Sequence, residues 1–150
     1  MTTSARAEVR PQRRPLPELN QTQWSVDVVP TRTKAEWTSD LLRAVEELGR
    51  LESGWDGGRS PPISASVLET ARRVLLGAAS NNSAPAPHVA AVPGGGIQFE
   101  WHLSSRILEL EILPSCDLSY LCVDGETEEE GTFKAEKSRH AEGLVKWLIS

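Results

Sequence analysis

One hundred and fifty residues, 39% of them hydrophobic and with a formal charge of −5, suit one domain built around one core. The mean hydropathy is −0.34, and no apolar run approaches the roughly 20 residues that a membrane-spanning helix needs. No continuous apolar stretch follows the basic residues near the start, so a secretory signal is not expected.

The charge is unevenly placed. Residues 1–34 carry Arg6, Arg10, Arg13, Arg14, Arg32 and Lys34 against Glu8, Glu18 and Asp27, a net of +3, which leaves −8 on the rest. A basic arm on an acidic body can touch nucleic acid or fold back on its own body. An acidic body argues against broad contact with a phosphate backbone. Cys116 and Cys122 are too few for a disulfide framework, and their spacing is not that of a zinc knuckle. They read as two reduced thiols of a cytoplasmic protein.

In chain order, residues 1–34 read as a flexible arm, with Pro11, Pro15 and Pro17 and little apolar periodicity. Trp24, Val26 and Val28 alternate with Ser25, Asp27 and Val29, which allows a short strand over 24–29. Residues 35–150 read as one domain. Thr33 and Glu36 have capping-box spacing. Trp37, Leu41, Val45, Leu48 and Leu51 then recur every three or four residues, one face of a helix expected to stop before Gly54. A turn-rich connector follows, Gly54-Trp55-Asp56-Gly57-Gly58 and Ser60-Pro61-Pro62. Ser64 is the expected N-cap of a second helix, with Ile63 and Leu68 spaced as a hydrophobic staple and Gly77 as its exit.

From His88 the apolar period changes to two. Strands are expected at His88–Val92, Ile97–His102, Arg106–Leu113 and Leu118–Val123, with turns between them. The acids from Glu126 to Glu130 read as a loop, Thr132–Ala135 as a last edge strand, and Ser138 as the cap of a terminal helix. The fold class is therefore α+β: two N-terminal helices, an antiparallel meander of four to five strands and a C-terminal helix, with the helices mainly on one sheet face.

Register follows from the apolar pattern. Ile97, Phe99 and Trp101 must face the same way as Leu108, Leu110 and Ile112, and a slip of one residue would invert a strand. A two-residue turn at Ser104–Ser105 then sets Glu100 against Glu109 and Gln98 against Glu111. Like charges directly opposite cost about 0.2–1 kcal/mol. Gln98, Glu100, His102, Glu109 and Glu111 thus form a candidate partner-binding face, built for water or for a basic protein. The same carboxylates with His102 are suitable metal ligands by type, but no ligand spacing supports that, so neither metal nor cofactor is expected.

No H-E-x-x-H or G-x-S-x-G is present, and Gly94–Gly96 precedes neither a helix nor a G-K-[ST]. No catalytic residue is assigned, and an enzyme is disfavoured. Trp55 and Asp56 read as a structural motif. The indole would plug the connector while the carboxylate accepts backbone N–H groups.

The combination Gly54-Trp55-Asp56-Gly57, Pro62-Ile63-Ser64, Gly95-Gly96-Ile97-Gln98-Phe99-Glu100-Trp101 and the acidic strand Leu108–Ile112 resembles a group of short, uncharacterised bacterial proteins. The resemblance covers about residues 36–135 and implies an α+β fold without an assigned activity, so it carries over no catalytic residue.

The functional expectation is a non-enzymatic interaction module, an accessory, antitoxin-like or regulatory partner presenting an acidic sheet face to a basic protein. Two other classes remain open. One is a small metal-dependent hydrolase or nuclease using the sheet carboxylates. The other is nucleic-acid binding through Arg6, Arg10, Arg13 and Arg14.

Overall fold

The structure, a computed structural model, describes residues 33–81, 83–137 and 139–150. The arm, its expected strand at 24–29 and the expected cap Ser138 lie outside these residues.

Helix α1, Lys34–Leu48, opens on the expected capping box: the Glu36 N–H donates to Thr33 Oγ1 at 3.3 Å, and the Thr33 N–H donates to Glu36 Oε2 at 3.0 Å. Its buried stripe is Trp37, Leu41, Val45 and Leu48. The helix is shorter than its periodicity suggests. Gly49 is the C-cap, so Leu51 packs half-buried from the connector rather than from the helix. Helix α2, Ala65–Ala79, is capped by Ser64 Oγ, which accepts from the Val67 N–H at 3.2 Å. Gly77 does not end it. The helix runs through Ala79 to a C-cap at Ser80, and Ala78 and Ala79 extend its buried face beyond the glycine.

Five strands follow: β1 His88–Val92, β2 Gly96–Leu103, β3 Arg106–Ile112, β4 Leu118–Asp124 and β5 Thr127–Phe133. They form one antiparallel sheet in chain order, so β1 and β5 are its edges. The register is the one demanded by apolar matching. Trp101 pairs with Leu108, Phe99 with Leu110 and Ile97 with Ile112. A 3-10 turn at Ala135–Lys137 leads into helix α3, Arg139–Ile149, which buries Ala141, Leu144, Val145 and Leu148.

The glutamate run is a correction. Thr127–Phe133 is strand rather than loop, and the last strand lies earlier than Thr132–Ala135. Glutamate is a weak strand former, but the turn at Gly125–Glu126 brings Thr127 against Asp124. Backbone pairing then carries the chain along β4 as far as Phe133 against Leu118.

The core is a two-layer sandwich. All three helices turn their buried stripes onto the face that carries Ile97, Phe99, Trp101, Leu108, Leu110, Ile112 and Leu118, each fully buried. Arg106 ties the far end of the sheet to α3. Its guanidinium pairs with Asp124 Oδ2 at 2.9 Å, donates to the Trp147 carbonyl at 2.6 Å and lies over the Trp147 ring at 5.2 Å.

The connector between α1 and α2 is held as the sequence motif suggests. Asp56 Oδ1 accepts from the Gly58 N–H at 3.0 Å and the Ser60 N–H at 3.3 Å, and Oδ2 accepts from the Ser60 hydroxyl at 2.6 Å. These bonds, led by the Ser60 hydroxyl, hold the Asp56 carboxyl below its usual range. The Trp55 indole N–H donates to the Pro61 carbonyl at 3.0 Å, and its ring is half-buried against the core. Trp55 is thus a latch on the connector, not a fully buried plug.

Candidate functional site

Strand alternation puts every second side chain of the sheet on the face opposite the helices. Neighbouring strands bring these side chains into rows. One row reads His88, Glu100, Glu109, Leu121, Glu130 from β1 to β5. The next reads Ala90, Gln98, Glu111, Ser119, Thr132. A third, starting at β2, reads His102, Ile107, Val123, Glu128.

All five residues expected at the partner-binding face therefore lie on one surface. Glu100 is directly opposite Glu109, and Gln98 is directly opposite Glu111. Each of the two carboxylates has a polar neighbour on this face. Gln98 Nε2 donates to Glu109 Oε2 at 3.3 Å, and His102 Nε2 lies 3.3 Å from Glu100 Oε1. His102 is mostly exposed, at 61%, whereas Glu100 is 26% exposed and so more sensitive to its neighbours.

The pattern between strands 97–103 and 106–112 was enough to find those five residues. It missed His88, which the β1 register sets against Glu100, and it missed Glu128 and Glu130, which join the face because the glutamate run is a strand. Ile107, Leu121 and Val123 form an apolar strip among the acids. Their positions in the strands signalled that strip, had the open face been read for apolar residues as well as charged ones.

His88 loses basicity here. Burial lowers its pKa below 6.5 and the neighbouring His102 lowers it further, while the Glu100 carboxylate pulls the other way. The folded value lies below the unfolded one, so between the two the unfolded chain binds more protons and stability rises with pH. This contribution is present above pH 6.5 and is lost as pH falls through the lowered folded value. A His88→Gln variant is expected to flatten the dependence of the urea midpoint on pH across that window. An unchanged slope would show that His88 is not the titrating group.

No protein-family model, curated protein or solved structure matches the chain. A functional reading therefore has to come from the surface itself.

Among the described residues no group of three or more His, Cys, Asp or Glu side chains is placed to hold a metal ion. The Cys122 thiol, buried and beside the Glu129 carboxylate, is pushed up to about 11, so it stays protonated and a weak nucleophile at neutral pH. Cys116 is half-buried in the turn before β4. None of the helices is long and apolar enough to cross a membrane, among the described residues.

Proposed function

We propose that this chain is a non-enzymatic interaction module whose open sheet face binds a basic surface of a protein partner. One observation carries the reading: Glu100, Glu109 and Glu111 of adjacent strands converge beside Gln98 and His102 on the face opposite all three helices. An acidic face steers a basic partner during encounter and selects it against acidic competitors. The strip of Ile107, Leu121 and Val123 supplies apolar area that such a contact can bury, which charges alone do not. The role fits an accessory, antitoxin-like or regulatory protein acting in the cytoplasm. A rigid sheet is a suitable platform because its side-chain positions are set by backbone pairing.

The test is capture from native cells on the immobilised full chain, followed by a salt gradient. The expected result is a basic protein released as ionic strength rises and the Debye length shrinks from about 10 Å at 0.1 M to about 3 Å at 1 M. Retention of an acidic partner, or release insensitive to salt, would overturn the reading.

A further inference from the structure

The outer edge of β5 goes beyond the open face as a second surface with its own chemistry. Thr127 through Glu130 are all exposed, although their inner backbone groups pair with β4. The two-residue turn makes Asp124–Thr127 a hydrogen-bonded pair. Alternation then leaves the N–H and C=O groups of Glu128, Glu130 and Thr132 pointing away from the sheet. No turn, loop or cap backbone bond among the described residues reaches those groups. The opposite edge is unlike this one, since Val89 and Ala91 of β1 are buried and α1 packs there.

The edge also carries uncompensated charge. Among the described residues no lysine or arginine forms an ion pair with Glu126, Glu128, Glu129 or Glu130. Beside the edge, between β5 and α3, a cleft of about 340 Å³ opens, with Cys122, Leu144 and Trp147 as its apolar part and Glu129 at its acidic side, while Glu128 borders it from the strand that turns its side chain to the open face. Asp124 also borders the cleft but is paired with Arg106, and Glu129 accepts a hydrogen bond from the Tyr120 hydroxyl at 3.2 Å.

We propose that β5 accepts an extended peptide of a partner protein as a sixth strand, one that carries lysine or arginine at alternate positions. The main chain of such a peptide satisfies the outward groups of Glu128, Glu130 and Thr132. Its alternate basic side chains lie on one face and meet Glu128 and Glu130, which share the open side of β5, while the apolar residues between them turn toward Leu144 and Trp147 of the cleft. The acids that discourage two copies of this edge from pairing are the same groups that select a basic strand.

The probe is a seven-residue peptide alternating lysine and valine, added to the full chain. Its control has the same sequence with alternate amides N-methylated on the side that would face β5. The unmodified peptide is expected to slow amide exchange at Glu128, Glu130 and Thr132, and to bind about tenfold more tightly than the control. Glu128→Gln with Glu130→Gln is expected to weaken it by about fivefold, whereas Glu109→Lys with Glu111→Lys, two strands away, weakens it by less than about twofold. Equal binding of the two peptides, protection confined to residues 97–111, or no binding at all would each overturn strand addition. The open-face reading does not depend on these outcomes, because its own variants lie on β3.

Discussion

Replacing Trp101 by alanine is expected to destabilise the fold by about 3–5 kcal/mol, the largest effect of any single substitution described for this protein. Trp101 is fully buried at the centre of β2, opposite Leu108 and with its ring centroid 6.0 Å from that of Phe99. The indole N–H donates to the Pro85 carbonyl at 3.1 Å, which fastens the segment between α2 and β1 onto the sheet. Truncation opens a cavity beneath the helices and leaves that carbonyl without its donor. Trp101→Phe separates the two contributions, because it keeps an aromatic ring while losing the hydrogen bond, and is expected to cost about 1–3 kcal/mol. Urea unfolding followed by circular dichroism measures both. A loss under about 1 kcal/mol for the alanine variant would mean that the sheet is not packed against the helices as described.

Ser60→Ala is expected to have the second largest effect, about 1–3 kcal/mol from removal of one small buried hydroxyl. That hydroxyl donates to Asp56 Oδ2 at 2.6 Å and accepts from the Gly94 N–H at 2.9 Å. It is the link between the connector motif and the turn joining β1 to β2. Without it, Gly94 loses its acceptor at a turn where φ is +101°, a conformation suited to glycine. The acid dependence supplies a second readout. The Asp56 carboxyl titrates below 3.8, its ordinary value, so its contribution is present above pH 3.8 and is lost as pH falls through the lower folded value. Ser60 supplies the leading cause of that shift, so Ser60→Ala should move acid unfolding to higher pH as well as lower the urea midpoint at pH 7. A variant with unchanged acid stability would show that the Asp56–Ser60 pair is not formed in solution.

The central sheet was legible because alternation and a short turn act together. Once Phe99 and Trp101 must face Leu110 and Leu108, the Ser104–Ser105 turn allows one register, and the opposition of Glu100 to Glu109 follows. The helix starts were equally open to reading, since Thr33 and Ser64 are local capping signals. The helix ends were not. Periodicity ran on through Leu51, although the backbone leaves the helix at Gly49, and it faltered at Gly77, although packing by Ala78 and Ala79 carries α2 onward. Strand β5 was missed for a different reason. At a sheet edge both faces of a strand can reach water, so Glu128, Glu129 and Glu130 show no alternation, and only their pairing with β4 makes them a strand.

The same reasoning explains why the candidate site was found in part. Residues on two adjacent strands can be paired from sequence when both have an apolar face. Those brought in from a charged edge strand, or from β1 with its alanines, become visible only when the whole sheet is assembled. The completed surface is broader than the five residues first singled out, with His88 at one side, Glu128 and Glu130 at the other, and an apolar strip among them.

The most direct measurement is the affinity of the captured basic partner for the full chain carrying both Glu109→Lys and Glu111→Lys, taken alongside its thermal stability. Reversing two charges at the middle of the open face is expected to weaken binding by at least about tenfold while the melting temperature stays close to that of the parent. Unchanged affinity in a folded variant would show that the partner is held somewhere else.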